Sequence, residues 1–259
     1  MTTATAATVR AVPRAGMTGR GFRTLVGVQA KLLLREPGAL IWLLLPVALV
    51  VLFGNIPAFQ TVQHGLGDER VIDVYVPTFA AMTPLFLALA MMPPLTAALR
   101  EKNALRRFAV SPVPPAGLLA ALLAVVAAVA AFGVLLIVLV GALAFHVHAP
   151  NGLGAVVGSF VLGFTAVMAL GLIPAAVAPT AGTASAMGVP LMILNFFFSG
   201  LYFPVAQMPQ ALREIGEYVP FGAVMDAWSG YGPLWQHLVT LGGYTLAGSL
   251  VSVKLFRWE

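Results

Sequence analysis

The sequence predicts an all-α membrane protein with six transmembrane helices, and three observations carry that expectation. First, 60% of the 259 residues are hydrophobic and 9% are charged, against about 25% charged in a soluble domain. A chain of this composition cannot cover a water-facing surface, so its excess apolar surface must face lipid. Second, runs near the roughly 20 apolar residues that a helix needs to cross the hydrocarbon core recur at 39–58, 75–98, 116–145, 153–177, 184–203 and 234–254. Third, Lys and Arg are sorted between alternate connectors. The net charge of +5 would suggest nucleic acid in a soluble protein. Here placement outweighs the sum, and no nucleic-acid partner is expected. The chain has no cysteine, which excludes a disulfide framework, a thiolate nucleophile and a Cys metal site.

Residues 1–20 are Thr, Ala, Gly and Arg with almost no large apolar side chain, and read as a disordered tail. A secretory signal competes with that reading. However, the first apolar run starts only near Ala39 and no A-x-A cleavage site follows it. The remainder, 21–259, reads as one transmembrane domain. Between Gly21 and Glu36, Phe22, Leu25, Val26, Leu32 and Leu33 recur at helical spacing, with Arg23, Lys31 and Arg35 largely off the stripe. This pattern suits an amphipathic helix in the headgroup plane, with Pro37 turning the chain into the membrane. A frayed extension of the first span is the other reading.

The third span is long enough to tilt or project beyond the bilayer. The fourth and fifth are separated only by "APTAGTA". A five-span alternative makes one of the weaker segments re-entrant. Prolines 46, 84, 93, 94, 174 and 190 fall within spans, where neighbouring helices can satisfy the freed carbonyls. The adjacent pair Pro93–Pro94 predicts a kink near one end of span two. "GAVVG" at 154–158 is a small-xxx-small face of low specificity. Residues 204–221, bracketed by Pro204 and Pro220, place Leu212, Ile215 and Val219 on one helical face. That predicts an outer-surface helix, dipping between spans five and six, over a plain loop.

Orientation follows from the cations. Arg10, Arg14, Arg20, Arg23, Lys31, Arg35, Arg100, Lys102, Arg106, Arg107, Lys254 and Arg257 fall on one side, twelve of the fourteen; only Arg70 and Arg213 fall on the other. The positive-inside rule puts both termini in the cytoplasm. Within the spans no Asp, Glu, Lys or Arg occurs except Lys254 at one extreme end. The residues that usually mark proton relays and ion pathways are therefore missing. His237 has no carboxylate one turn away, and "HVH" (His146, His148) is at most half a metal site. No catalytic residue and no metal ligand is assigned, so the chain is not expected to be an enzyme. No G-x-x-x-x-G-K-[ST] is present, so energy for uphill transport must come from another protein.

That directs attention to the connector "REKNALRRFAVSPVPPAG", 100–117. Its first half favours helix, with Glu101, Leu105 and Phe108 on one face. "SPVPP" then stops the helix and stiffens the exit. A short charged helix with apolar knobs, held between rigid spans, can transmit a push; a solvated charge run that only sets topology is the alternative.

Three stretches taken in order tip this balance: "LLLREPGALIWLLLPVALVVLFG" (32–54), "LREKNALRRFAVSPVPPAGLLAALL" (99–123) and "PLMILNFFFSGLYFPVAQMPQALREIGEYVPFGAVMDAW" (190–228). The chain resembles the permease subunit of ABC-2 type transporters, and within them the bacterial drug-efflux branch of daunorubicin-resistance permeases. Glu101, Lys102, Leu105, Arg106, Phe108, Ser111 and Pro112 match the family's connector motif, while Asn103 and Ala104 replace its usual Gly-Thr. Phe197, Phe198, Ser199, Gly200, Phe203, Pro204, Pro209 and Pro220 match the third motif. The resemblance implies a multi-pass protein of the bacterial plasma membrane, with two permease halves, equal or different, forming the pathway. Each half would dock a separate cytoplasmic ATPase that binds ATP and Mg. The coupling residues implied are Arg100, Glu101, Lys102, Leu105, Arg106, Arg107 and Phe108, beside the interfacial residues Phe22, Leu25, Val26, Lys31 and Arg35. An outer re-entrant helix would close the exit. Asn195, Phe196, Phe197, Ser199 and Tyr202 are the pathway candidates, with structural glue the competing role for Asn195 and packing for the phenylalanines. The expected cargo is an amphipathic drug-like or lipid-like molecule, with a glycan as the alternative. A non-catalytic scaffold, a passive channel and an ion-coupled carrier are the competing functions.

Overall fold

The computed structural model describes residues 18–63, 69–101, 115–147, 152–199 and 208–255. It is nearly all helix. Helix α1 (Gly19–Leu34) starts at Thr18, whose hydroxyl accepts from Gly21 N–H at 3.2 Å, and stops at the Glu36–Pro37 step. Phe22, Leu25, Val26, Gln29 and Leu33 form its inward stripe, half-buried to buried, while Arg23, Lys31 and Arg35 are exposed. Leu32, expected on that stripe, is 56% exposed. The stripe passes through Gln29, a polar position that the apolar spacing could not reveal. α1 packs mainly against α6 (Pro115–Phe145).

Helix α2 (Pro37–Gly54) opens on Pro37, whose missing N–H suits the first helical position. It ends four residues short of the expected limit because Asn55 caps it and Pro57 starts the short α3 (Pro57–Gln60). A two-residue antiparallel ribbon follows, β1 (Val62–Gln63) with β2 (Glu69–Arg70), pairing Val62 with Arg70 and Gln63 with Glu69. The second span runs through α4 (Val71–Leu85), a π-helical segment (Phe86–Met91) and α5 (Met92–Glu101). Then come α6, α7 (Leu153–Val177), α8 (Ala181–Phe197), α9 (Gln210–Gly216), α10 (Pro220–Ser229) and α11 (Leu234–Leu255).

Among the described residues five helices are long and apolar enough to cross a membrane: 37–54, 71–99, 117–145, 154–177 and 234–255. Where a fifth span is expected, at 184–203, the structure has α8, an apolar helix of 17 residues that is not one of those five. It reaches about 26 Å at 1.5 Å per residue, and residues 200–203 lie outside the described residues. The second span is the axle of the bundle. In it 83% of the apolar window is buried, against 17% in α11. The peripheral helices carry outward Leu143, Leu246, Val251 and Val253, side chains that each gain about 1.5–3 kcal/mol when withdrawn from water and that lipid accommodates. Tyr218, Tyr231 and Trp235 are exposed together at one end of the bundle, an arrangement typical of a membrane interface. α7 and α11 pack closely: Gly248 lies against Ala169, and Thr165 meets Thr245 at 3.1 Å. Gly154 and Gly158 of "GAVVG" have open space beside them among the described residues.

Of residues 204–221, those from 208 on are described, and they divide between α9 and the start of α10 where a single outer helix is expected. Ile215 is 53% exposed, and Pro220 does not close a helix but opens one. As the first residue of α10 it loses no hydrogen bond, since helix-initial N–H groups have no intrahelical acceptor. α10 then buries every residue from Pro220 to Asp226 before Gly230 ends it at φ 67°.

Candidate functional site

The axle carries four prolines, at 77, 84, 93 and 94, and is also where the helical register changes. Met92 N–H bonds Leu87 O, five residues back, whereas an α-register would send it to Ala88 O. Pro93 and Pro94 have no N–H. With Met92 N–H taken by Leu87 O, neither Ala88 O nor Leu89 O has a donor four or five residues on. Two neighbouring helices answer with glycine. A β-carbon at Gly171 of α7 would overlap Ala88 O, and one at Gly188 of α8 would overlap Leu89 O. Such close approach permits Cα–H···O contacts of about 0.5–1 kcal/mol each and is how small residues let membrane helices pack. The predicted kink is thus a register change clipped to two other helices.

From this hinge α5 runs to Glu101, whose Oε2 accepts from Ala181 N–H at 3.3 Å. Ala181 is the first residue of α8, where free N–H groups and the helix dipole favour a carboxylate. Thr180 and Thr183 complete a capping box. At the far end of α8, Asn195 is 2% exposed. Its Nδ2 donates to Leu191 O at 2.9 Å, and its Oδ1 accepts from Phe221 N–H at 3.2 Å. The side chain thereby caps α10 behind Pro220. Phe196 stands edge-on to both Phe86 of the hinge (5.1 Å) and Phe221 (6.1 Å). One helix therefore meets the Glu101 carboxylate at its start and holds α10 at its end.

α10 is tied down elsewhere too. Trp228 Nε1–H donates to Ser159 Oγ at 2.9 Å and Val156 O at 3.3 Å on α7. Leu85, Phe160, Phe164, Val167, Phe221 and Val224 line an apolar cleft between α4, α7 and α10. At the same end, Arg70 forms a bidentate pair with Asp73 at 2.7 Å and donates to Phe145 O and His146 O, closing the end of α6. Asp226 is 4% exposed. Burial pushes its carboxyl up to about 6, with His237 holding it down and Glu217 adding to the rise.

A family model described as ABC-2 family transporter protein matches residues 55–252. The chain belongs to this family. No curated protein and no solved structure matches the chain. As an ABC-2 transporter the chain is a multi-pass membrane permease of the kind used by ABC exporters. Such permeases work with an ATPase subunit and are generally not catalytic themselves.

The match covers both ends of α8 and the whole hinge. Of the connector residues, Arg100 and Glu101 close α5, whereas Lys102, Leu105, Arg106, Arg107 and Phe108 lie outside the described residues, as does most of the tail 1–20. Of the pathway candidates in this ABC-2 chain, Asn195, Phe196 and Ser199 are buried and bound within the bundle. Phe197 is half-buried against Phe198 at 5.1 Å, and Tyr202 lies outside the described residues. Sequence reasoning missed the hinge glycines and α10. Glycines at 171 and 188 are two among 26, and nothing local marks them. For α10 a signal was present: Pro220 and Gly230 stand where a helix start and stop belong.

Proposed function

We propose that this permease is one half of an exporter that moves an amphipathic drug-like or lipid-like molecule outward, driven by a separate ATPase carrying ATP and Mg. The observation that carries the reading is the double attachment of α8, to Glu101 at its start and to α10 through Asn195 at its end. In this reading α8 serves as the fifth of six spans, with both termini and the 100–109 connector in the cytoplasm of a bacterial cell. ATPase closure pushes the connector, with Arg100, Lys102, Leu105, Arg106, Arg107 and Phe108 as the docking surface and α1 lying beside it on the membrane. The push turns α5 about the hinge and shifts α8. α8 then moves α10, which gates an exit lined by Phe196, Phe197, Ser199 and Tyr202, with Asn195 as the latch. A second permease half, equal or different, completes the pathway. The branch is that of drug-efflux permeases, and the uncharged spans favour a greasy cargo over a glycan.

Purification of the full chain from its native membranes tests this. A soluble P-loop ATPase should accompany it, and the Arg106→Glu, Arg107→Glu variant should lose that ATPase while inserting normally. Glu101→Ala should keep the ATPase bound but reduce cargo export by about an order of magnitude, the scale of a lost coupling free energy of 1–3 kcal/mol. Retention of the ATPase and of full export by both variants would overturn the coupling role and leave a connector that only sets topology.

A further inference from the structure

Helix α1 has one more apolar surface than its packing uses. Phe22, Val26, Gln29 and Leu33 turn inward, and the helix lies against α6. The stripe that periodicity assigned to the headgroup plane is therefore occupied within the protein. A second face remains. Val28, Lys31, Leu32 and Arg35 follow one another at i, i+3, i+4 and i+7, the spacing of neighbours on one side of a helix. Arg35 caps the helix with its backbone still in the right-handed helical region. All four side chains are exposed, Val28 to 50% and Leu32 to 56%. Two apolar groups thus stand beside two cations, and no described part of the chain covers them.

Nor does the helix neutralise its own charge. Arg20 and Arg23 are exposed as well, and α1 contains no acid. Glu36, the only acid before Asp68, lies just beyond the helix. Among the described residues the ion pair is that of Arg70 with Asp73, on another element. The next helix sets the depth of this face. α2 is long and apolar enough to cross a membrane and begins at Pro37; its Ile41 and Leu44 already point outward, 61% and 51% exposed. Arg35 stands two residues before that span, with Lys31 one turn further back, where headgroups give way to hydrocarbon. Long cationic side chains at this level reach to the phosphates while apolar neighbours enter the acyl boundary.

We propose that Val28, Lys31, Leu32 and Arg35 form a docking surface for anionic phospholipid. The phosphodiester accepts hydrogen bonds from the Lys31 ammonium and the Arg35 guanidinium, charge-assisted on both sides. The acyl chain lies along Val28 and Leu32. A soluble protein of opposite charge would answer the cations and leave the apolar pair unmatched, whereas a lipid answers both. The permease thereby has an anchor that holds α1 most firmly in an anionic leaflet.

With no native cysteine to compete, a single one at Val28 can carry bimane in the full chain, reconstituted in equal parts phosphatidylcholine and phosphatidylglycerol. A spin-labelled lipid should quench it and aqueous iodide should spare it. At Gly27, about 100° round the helix and with open space beside it, the order should reverse. Spin-labelled phosphatidylglycerol should associate with the native chain about fivefold more strongly than spin-labelled phosphatidylcholine. The Lys31→Gln, Arg35→Gln variant should lose most of that preference, and Arg257→Gln, outside α1, should keep it. Iodide reaching position 28 as readily as position 27 overturns the proposal, as does a double variant with the native preference. If that variant keeps the lipid and sheds a soluble ATPase instead, the face is a protein dock and the lipid site is disproved.

Discussion

Asn195 is the residue at which the reading by sequence and the reading by structure diverge most. A lone amide in an apolar span announces that it needs a partner, because membrane helices offer few, but it does not say which. Spacing left open a place on the pathway or a place in the bundle. The partner is the backbone N–H of Phe221, 26 residues away, and no local pattern encodes that distance. Asn195→Ala would strip this buried N–H of its acceptor, so a loss of about 1–3 kcal/mol is expected. Chemical denaturation of the detergent-solubilised protein would measure it, and an unchanged midpoint would mean that the amide contributes nothing to the α8–α10 junction. His237 teaches the same lesson. It has no carboxylate within a turn, and the partner its ring finds is the carbonyl of Tyr231, at 2.7 Å.

Among the elements, helix existence was legible throughout and helix geometry was not. The apolar runs at 116–145 and 153–177 became α6 and α7 within a residue of their expected limits, because lipid imposes length and leaves little choice of structure. Pro93–Pro94 correctly marked a break in regular helix. The form of that break, a π-helical segment clipped by glycines, depended on α7 and α8 arriving at Ala88 and Leu89. Gly188→Ala should therefore destabilise the protein by about 1–3 kcal/mol, as overpacking does. Gly154→Ala, with open space at its position, should be neutral or slightly stabilising. Thermal unfolding of the two variants side by side distinguishes them, and equal behaviour would dissolve the clip. α10 was missed although Phe221, Val224, Met225 and Trp228 recur at helical spacing, because the outer helix was expected to end at Pro220 and not to begin there.

At the scale of the whole molecule, the absence of cysteine makes topology directly measurable. Single cysteines placed at Thr180 and at Gln210, on either side of α8 in the chain, should react with a membrane-impermeant maleimide from opposite sides, Gln210 from outside intact cells and Thr180 only after permeabilisation. Labelling of both from the same side would remove α8 from the set of spans and leave five. The charge asymmetry predicts the first outcome, since Lys and Arg stay on the side of synthesis.

Composition alone determined that this chain lives in lipid, and hydropathy determined about where its helices run, since both express the same one-body preference of each side chain for oil or water. Which helix forms the axle, which glycines admit a carbonyl and which N–H meets Asn195 are pairwise matters. In spans apolar on every face, no stripe points to a neighbour. Only packing of the finished bundle could decide them.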